Sequence, residues 1–149
     1  LKFEIRDEFQ TLNFKFQIKQ MDPIADMLAR IRNALMRGQK TTQVPYSKLK
    51  KEIALLLAKY RYIRKFELIE INKDRKMMKL YLSYEKGESV VKGLKRISKS
   101  GQRIYGGAER IQRIGGRRGM IIVSTSKGLL PHWEAKKQQV GGEVLCVVY

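Results

Sequence analysis

The segment MDPIADMLARIRNALMRG, residues 21–38, has a single apolar stripe with both ends marked, and it sets the class of fold around it. Asp22 stands as an N-cap and Pro23 at the first helical position, where a missing N–H is harmless. Ile24, Met27, Leu28, Ile31 and Leu35 recur at helical spacing, and Gly38 is a natural stop. Arg30, Arg32 and Arg37 fall largely off the stripe, toward solvent or a partner. Next, TTQV before Pro45 reads as a short strand. Ser47 then caps a second helix with Leu49, Ile53, Leu56, Leu57 and Tyr60 inward. YIRKFELIEI and KMMKLYLSY are two strands around the turn NKDR. In the second of them Met78, Leu80, Leu82 and Tyr84 alternate inward, and EKGES reads as a linker. The order helix–strand–helix–strand–strand over residues 21–84 is that of an α+β unit.

Beyond the linker the texture changes. VKGLKRISKSGQRIYGG is short, basic and punctuated by glycine, and AERIQRI is long enough for one or two helical turns. GMIIVST reads as a buried strand, PHWEAKKQ as a short helix with Pro131 in its first turn, and GGEVLCVVY as a terminal strand. Upstream of the first helix, Leu12, Phe14, Phe16 and Ile18 alternate with polar residues. That pattern fits an added edge strand or an extension without a role, and Met21 is a candidate internal start. Glu4, Asp7 and Glu8 argue against an acid-poor organellar transit peptide.

Charge narrows the function. The 149 residues carry 32 Lys and Arg against 14 Asp and Glu, a formal net charge of +18, on a chain whose 43% hydrophobic content suffices for a packed core. Folding crowds these like charges together, and a polyanion relieves the repulsion. Nucleic acid is the expected partner. A membrane is not, because no stretch reaches the roughly 18 apolar residues a span requires. Catalysis is not expected either. The one histidine, His132, has no obvious paired acid or cysteine partner, and Glu109, Glu134 and Glu143 share no motif spacing. The one cysteine, Cys146, sits in an apolar run as a small hydrophobe. No metal site or cofactor is expected.

The stretch VSTSKGLLP, residues 123–131, admits several uses. It lacks the glycines a nucleotide-phosphate loop needs before its lysine. Ser124, Thr125 and Ser126 would, taken alone, end a strand and cap the helix near Pro131. In a basic chain they are also small groups that each donate and accept, suited to base edges and 2′-hydroxyls in the shallow minor groove of RNA. Lys127 would add phosphate attraction, and Gly128 permits close approach or positive φ. Tyr105 is either a stacking platform for an unpaired base or a half-buried strand residue. Arg117 and Arg118, in GGRRG, are either phosphate contacts or a solvated basic loop.

Five segments carry a resemblance: DPIADMLARIRNA, PYSKLKKEIA, LKRISKSGQRIY, IVSTSKG and GGEVLCVVY, in this order and spacing. Together they resemble the bacterial-type eighth protein of the small ribosomal subunit, over residues 21–149. The resemblance implies an α+β protein of two small domains. The first is α-β-α-β-β (residues 21–86). The second is mainly β with short helices and binds RNA (residues 87–149). Residues 1–20 remain an extension. It implies a non-catalytic structural role: primary binding of a stem in the central domain of small-subunit ribosomal RNA, which helps the platform assemble beside neighbouring small-subunit proteins. It implies that the loop of Ser124, Thr125, Ser126, Lys127 and Gly128 enters the minor groove beside an irregular part of the stem. It also implies that Tyr105 packs near the RNA, that Glu143 accepts from a base or orients a donor, and that Arg32, Asn33, Lys48 and Lys50 face RNA.

Some bacterial members of that family also repress their own operon through a similar stem in the messenger. A regulator acting on RNA or DNA away from the ribosome is therefore the alternative function. The expected location is the ribosome of a bacterial cytoplasm, with a plastid or mitochondrial ribosome as the alternative. Two departures stand out. Pro131, His132 and Trp133 replace the family's Thr-Asp-Arg, and Gly115, Gly116, Arg117 and Arg118 replace a Leu-Gly-Gly-Leu run. Local capping and loop packing should differ there.

Overall fold

A computed structural model describes residues 22–116 and 118–149, so the proposed edge strand at Leu12–Ile18, Met21 and Arg117 lie outside the described residues. Helix α1 (Pro23–Met36) starts at Asp22, whose carboxylate accepts the Ile24 N–H at 3.0 Å. Strand β1 (Thr41–Pro45) follows, then α2 (Lys48–Lys59), where the Ser47 hydroxyl accepts the Lys50 N–H at 3.1 Å. Strands β2 (Ile63–Asn72) and β3 (Arg75–Leu82) form the expected hairpin and, with β1, a three-stranded antiparallel sheet in the order β1-β3-β2. The expected order of elements in this half therefore holds. Met78, Leu80 and Leu82 point inward as expected, whereas Tyr84 is only half-buried.

The EKGES segment is a correction: it is a hairpin, not a plain linker. Strands β4 (Tyr84–Glu85) and β5 (Glu88–Ser89) pair around Lys86 and Gly87, both with positive φ (51° and 80°). Two consecutive positive-φ residues make the turn whose twist matches that of the flanking strands. The expected boundary between residues 86 and 87 thus falls at the tip of a hairpin.

The second half is a five-stranded antiparallel sheet built on its last strand, β10 (Gly142–Val148). It pairs on one side with β6 (Leu94–Arg96) and β7 (Tyr105–Gly106), and on the other with β8 (Met120–Thr125). Strand β9 (Gly128–Pro131) closes the edge against β8. Two short helices accompany the sheet, α3 (Ile111–Gly115) and α4 (His132–Lys137). Ile121, Val123, Val144 and Val147 pack on one face with Ile111 and Ala135 of these helices. Met120, Ile122, Cys146 and Val148 point the other way and join α1, α2 and the inner face of the first sheet in one continuous core. Both long helices touch both sheets, α1 through β1 and β6, and α2 through β2 and β9. The order of layers is three-stranded sheet, long helices, five-stranded sheet, short helices. Cys146 lies at the centre of this packing, fully buried, and burial pushes its thiol pKa up to about 12. It behaves as the small hydrophobe its sequence context suggested. Among the described residues no helix is long and apolar enough to cross a membrane.

Polar clasps lock the halves. Asp22 caps α1 with one carboxylate oxygen and takes the Arg96 Nε of β6 at 2.8 Å with the other. Arg96 also donates to the Leu145 carbonyl of β10. Burial opposes the Asp22 charge, yet the Arg96 guanidinium and the helix N–H groups outweigh it and hold the pKa below the ordinary carboxylate value. At the other junction, Pro131 is the last residue of β9 and stands just before α4 rather than within its first turn. The His132 Nδ1 accepts the Ile121 N–H at 3.1 Å, and Trp133 meets Tyr60, just after α2, edge-on at 4.9 Å. The Pro-His-Trp departure therefore ties α2 to the second sheet.

Asp22→Ala, which removes both the cap and the ion-pair partner, should lower unfolding stability by about 2–4 kcal/mol in urea titration. Asp22→Asn keeps the cap and should lose about 1 kcal/mol less. His132 has its pKa lowered by burial, so its contribution is complete above the unfolded value of 6.5 and is lost as pH falls through the folded one. The urea midpoint should fall as pH drops below about 6.5, and His132→Asn, which retains an acceptor without titrating, should flatten that fall.

Candidate nucleic-acid interface

The hydroxyl loop is the tip of the β8–β9 hairpin. Thr125 pairs with Gly128, leaving exposed Ser126 and Lys127 as the two tip residues. The Thr125 hydroxyl accepts the Lys127 N–H at 3.1 Å and donates to the Gly128 carbonyl at 2.8 Å, which sets the turn. Gly128 has φ of 102° with nothing near an added Cβ, so the backbone conformation rather than space demands glycine there. Helix α4 starts after Pro131 without a side-chain cap, so these hydroxyls do not serve it. Thr125 is engaged in the turn, while Ser126 and Lys127 project beyond the last β10 pairing, Gly142 with Thr125.

Three separated segments meet at the foot of this tip. Glu143 pairs with Ser124 on one side and with Tyr105 on the other. Directly paired residues of an antiparallel sheet share a face. Tyr105, Glu143 and Ser124 therefore form a row across the sheet, on the face that carries the long helices. Tyr105 is 67% exposed, which removes the half-buried alternative. The two glycines before Glu143 make the row tight. A Cβ on Gly142 would lie 2.0 Å from the Ser124 carbonyl oxygen, and one on Gly141 would lie 2.5 Å from that of Gly106. Only residues without a side chain let three strands converge there.

The row includes a residue the sequence did not single out. Arg103 Nη1 donates to Glu143 Oε1 at 2.9 Å, and this pairing raises the arginine's pKa. Arg103 lies two residues from Tyr105, a spacing that in extended chain returns to the same face. That periodicity was the available signal.

The other expected residues lie elsewhere. Lys50 is a correction: at 6% exposed it turns inward, and its ammonium donates to the Pro45 carbonyl at 3.3 Å. That bond joins β1 to α2. Burial lowers the lysine's pKa. Arg32 donates to the Leu94 carbonyl of β6. Leu94 and Met120 both pair with Val148, whereas the tip is at the Gly142 end of β10. At about 3.3 Å per residue, Arg32 and exposed Arg118 are therefore roughly 20 Å from the hydroxyl tip. Asn33 and Lys48 are exposed on the helices, with no hydrogen bond joining them to the row. Leu49 is a smaller correction, 38% exposed, because α2 turns Ile53, Ala54 and Leu57 inward instead.

The fold and the site together describe a class: a basic α+β protein whose exposed tip and row suit a nucleic acid. The described residues hold no cluster of three or more His, Cys, Asp or Glu able to ligate a metal. The family model "Ribosomal protein S8" matches residues 22–149. The chain is similar to the small ribosomal subunit protein uS8 of Desulforudis audaxviator, 46% identical over 129 residues that cover 86% of this chain and 98% of that protein. It is 49% identical to the Shouchella clausii protein of the same name, again over 86% of this chain and with 97% of that protein covered. For the Clostridioides difficile protein the identity is 44% over the same shares. The chain belongs to the ribosomal protein S8 family, and it is a structural, non-enzymatic protein of the ribosome.

Gly142→Ala should displace Ser124 from the row. A shift forced between backbone atoms in a packed sheet should cost about 1–3 kcal/mol of stability in urea titration. RNA affinity should fall even at temperatures where the variant remains folded.

Proposed function

We propose that the chain is a constituent of the small ribosomal subunit and a primary binder of a stem in the central domain of its RNA, helping the platform assemble. Membership in the S8 family supports the subunit assignment. The stem reading rests on one observation above all: the Ser126–Lys127 tip extends just past the strand end at which Tyr105, Glu143 and Ser124 form their row. A narrow hairpin of hydroxyls fits the wide, shallow minor groove of an RNA helix. An exposed aromatic at its foot provides a stacking surface for a base displaced where the stem is irregular. Phosphate neutralisation by the cationic surface supplies most of the affinity, and the tip and row supply selectivity. Exposed Lys48, Asn33 and Arg118 act as separate peripheral contacts. Neighbouring small-subunit proteins complete the set of partners, and a bacterial-type cytoplasmic ribosome is the proposed location.

Ser126→Ala removes the exposed tip hydroxyl without altering the Thr125 bonds that shape the turn. Affinity for the cognate stem should fall roughly tenfold, with little change toward an arbitrary RNA duplex, as read by filter binding or fluorescence anisotropy at fixed salt. Equal losses on both RNAs would refute a reading role for the tip. The chain's own operon messenger, offered as competitor, tests the repressor alternative in the same assay.

A further inference from the structure

The Arg103–Glu143 pair supports a finer assignment, which rests on the stem-binding reading above. An acid at the centre of an interface for a polyanion needs an explanation. Residues 92–149 carry twelve Lys and Arg against only three acids, so Glu143 is not there to balance the surface. Its side chain is 16% exposed, wedged between the strands bearing Tyr105 and Ser124, with Oε1 occupied by Arg103. The guanidinium sits outside it, 51% exposed. A guanidinium has five N–H donors, and the single bond to Glu143 leaves the others for solvent. The carboxylate is thus covered and the arginine presented. A long side chain that would otherwise sample many rotamers is held by Glu143, the residue that pairs with Tyr105, which lowers the entropic cost of using it.

We propose that Arg103 binds a backbone phosphate of the RNA strand whose base stacks on Tyr105, and that Glu143 acts through Arg103 as a positioning residue. Glu143 does not contact RNA. Its negative charge, taken alone, would repel the ligand, and its net effect is favourable only because it orients the guanidinium.

Stem binding by the full chain, measured across a range of salt, tests this. Arg103→Gln should weaken binding roughly ten- to a hundredfold and reduce the magnitude of the slope of log affinity against log salt by about 0.7–0.9. Arg103→Lys should restore most of that slope, since an ammonium also neutralises a phosphate. If Arg103 reads a base edge instead, the lysine variant loses as much affinity as the glutamine one, and the phosphate assignment is overturned. Glu143→Ala should weaken binding even though it removes a negative charge, and should produce no further loss when added to Arg103→Gln. Tighter binding by Glu143→Ala alone, or an additive loss in the double variant, would overturn the positioning role. Thermal unfolding by circular dichroism separates these outcomes from misfolding: binding is compared at temperatures well below the transition of each variant, where all of them remain folded. A wild-type chain without preference for the stem refutes the stem reading itself. A selective wild type with an unaffected Arg103→Gln variant refutes only this assignment.

Discussion

Strand β10 has to serve two cores at once, and the rest of the molecule depends on how it does so. Every residue from Val144 to Val148 is buried. Val144 and Val147 face α3 and α4, while Cys146 and Val148 face the long helices. Leu145 and Cys146, adjacent in sequence, pack on the same side, which strict alternation forbids, because the register shift between Val144 and Cys146 inserts one extra residue. On the opposite edge the Leu145 carbonyl accepts from the Arg96 guanidinium and from the Ile97 N–H. The strand is thereby buried on both faces, paired along both edges, and joined to Asp22 through Arg96. At its Gly142 end, where apolar burial stops, the row of Tyr105, Glu143 and Ser124 begins.

Electrostatics divides the charged residues into two populations. One is inward and paired. Asp22–Arg96 is mostly buried and links helix capping to the docking of the halves, and buried Lys50 reaches the Pro45 carbonyl. Removing one partner from such contacts leaves a polar group without compensation, which is why they matter more than their number suggests. The other population is exposed and largely unneutralised. The remaining ion pairs have at least one well-exposed partner and contribute little to stability. A chain with net charge +18 accepts that repulsion because its partner is a polyanion.

Much of this was legible in the residues alone. Both caps, the two amphipathic helices, the β2–β3 hairpin and the strands at GMIIVST and GGEVLCVVY follow from local periodicity and punctuation, which act within one segment. The EKGES hairpin was hidden because Lys86 adopts positive φ, a conformation its residue type does not advertise. Lys50 was read as a surface cation because burial of a lysine depends on the Pro45 carbonyl supplied by the preceding strand. Arg103 was passed over because its meaning lies in Glu143, forty residues away.

The sequence by itself determined the α+β class, the preference for an anionic ligand and the position of the hydroxyl loop, since hydrophobic periodicity, net charge and a short motif are all properties of neighbouring residues. Only the tertiary structure decided which of the candidate residues stand together. Strand pairing brings residues 105, 124 and 143 into a single row and leaves Arg32 and Arg118 at the other end of the same strand. The physical reason is that register is set by how two glycines let backbones approach and by how a bulge fills two cores, and both are relations between segments far apart in the chain.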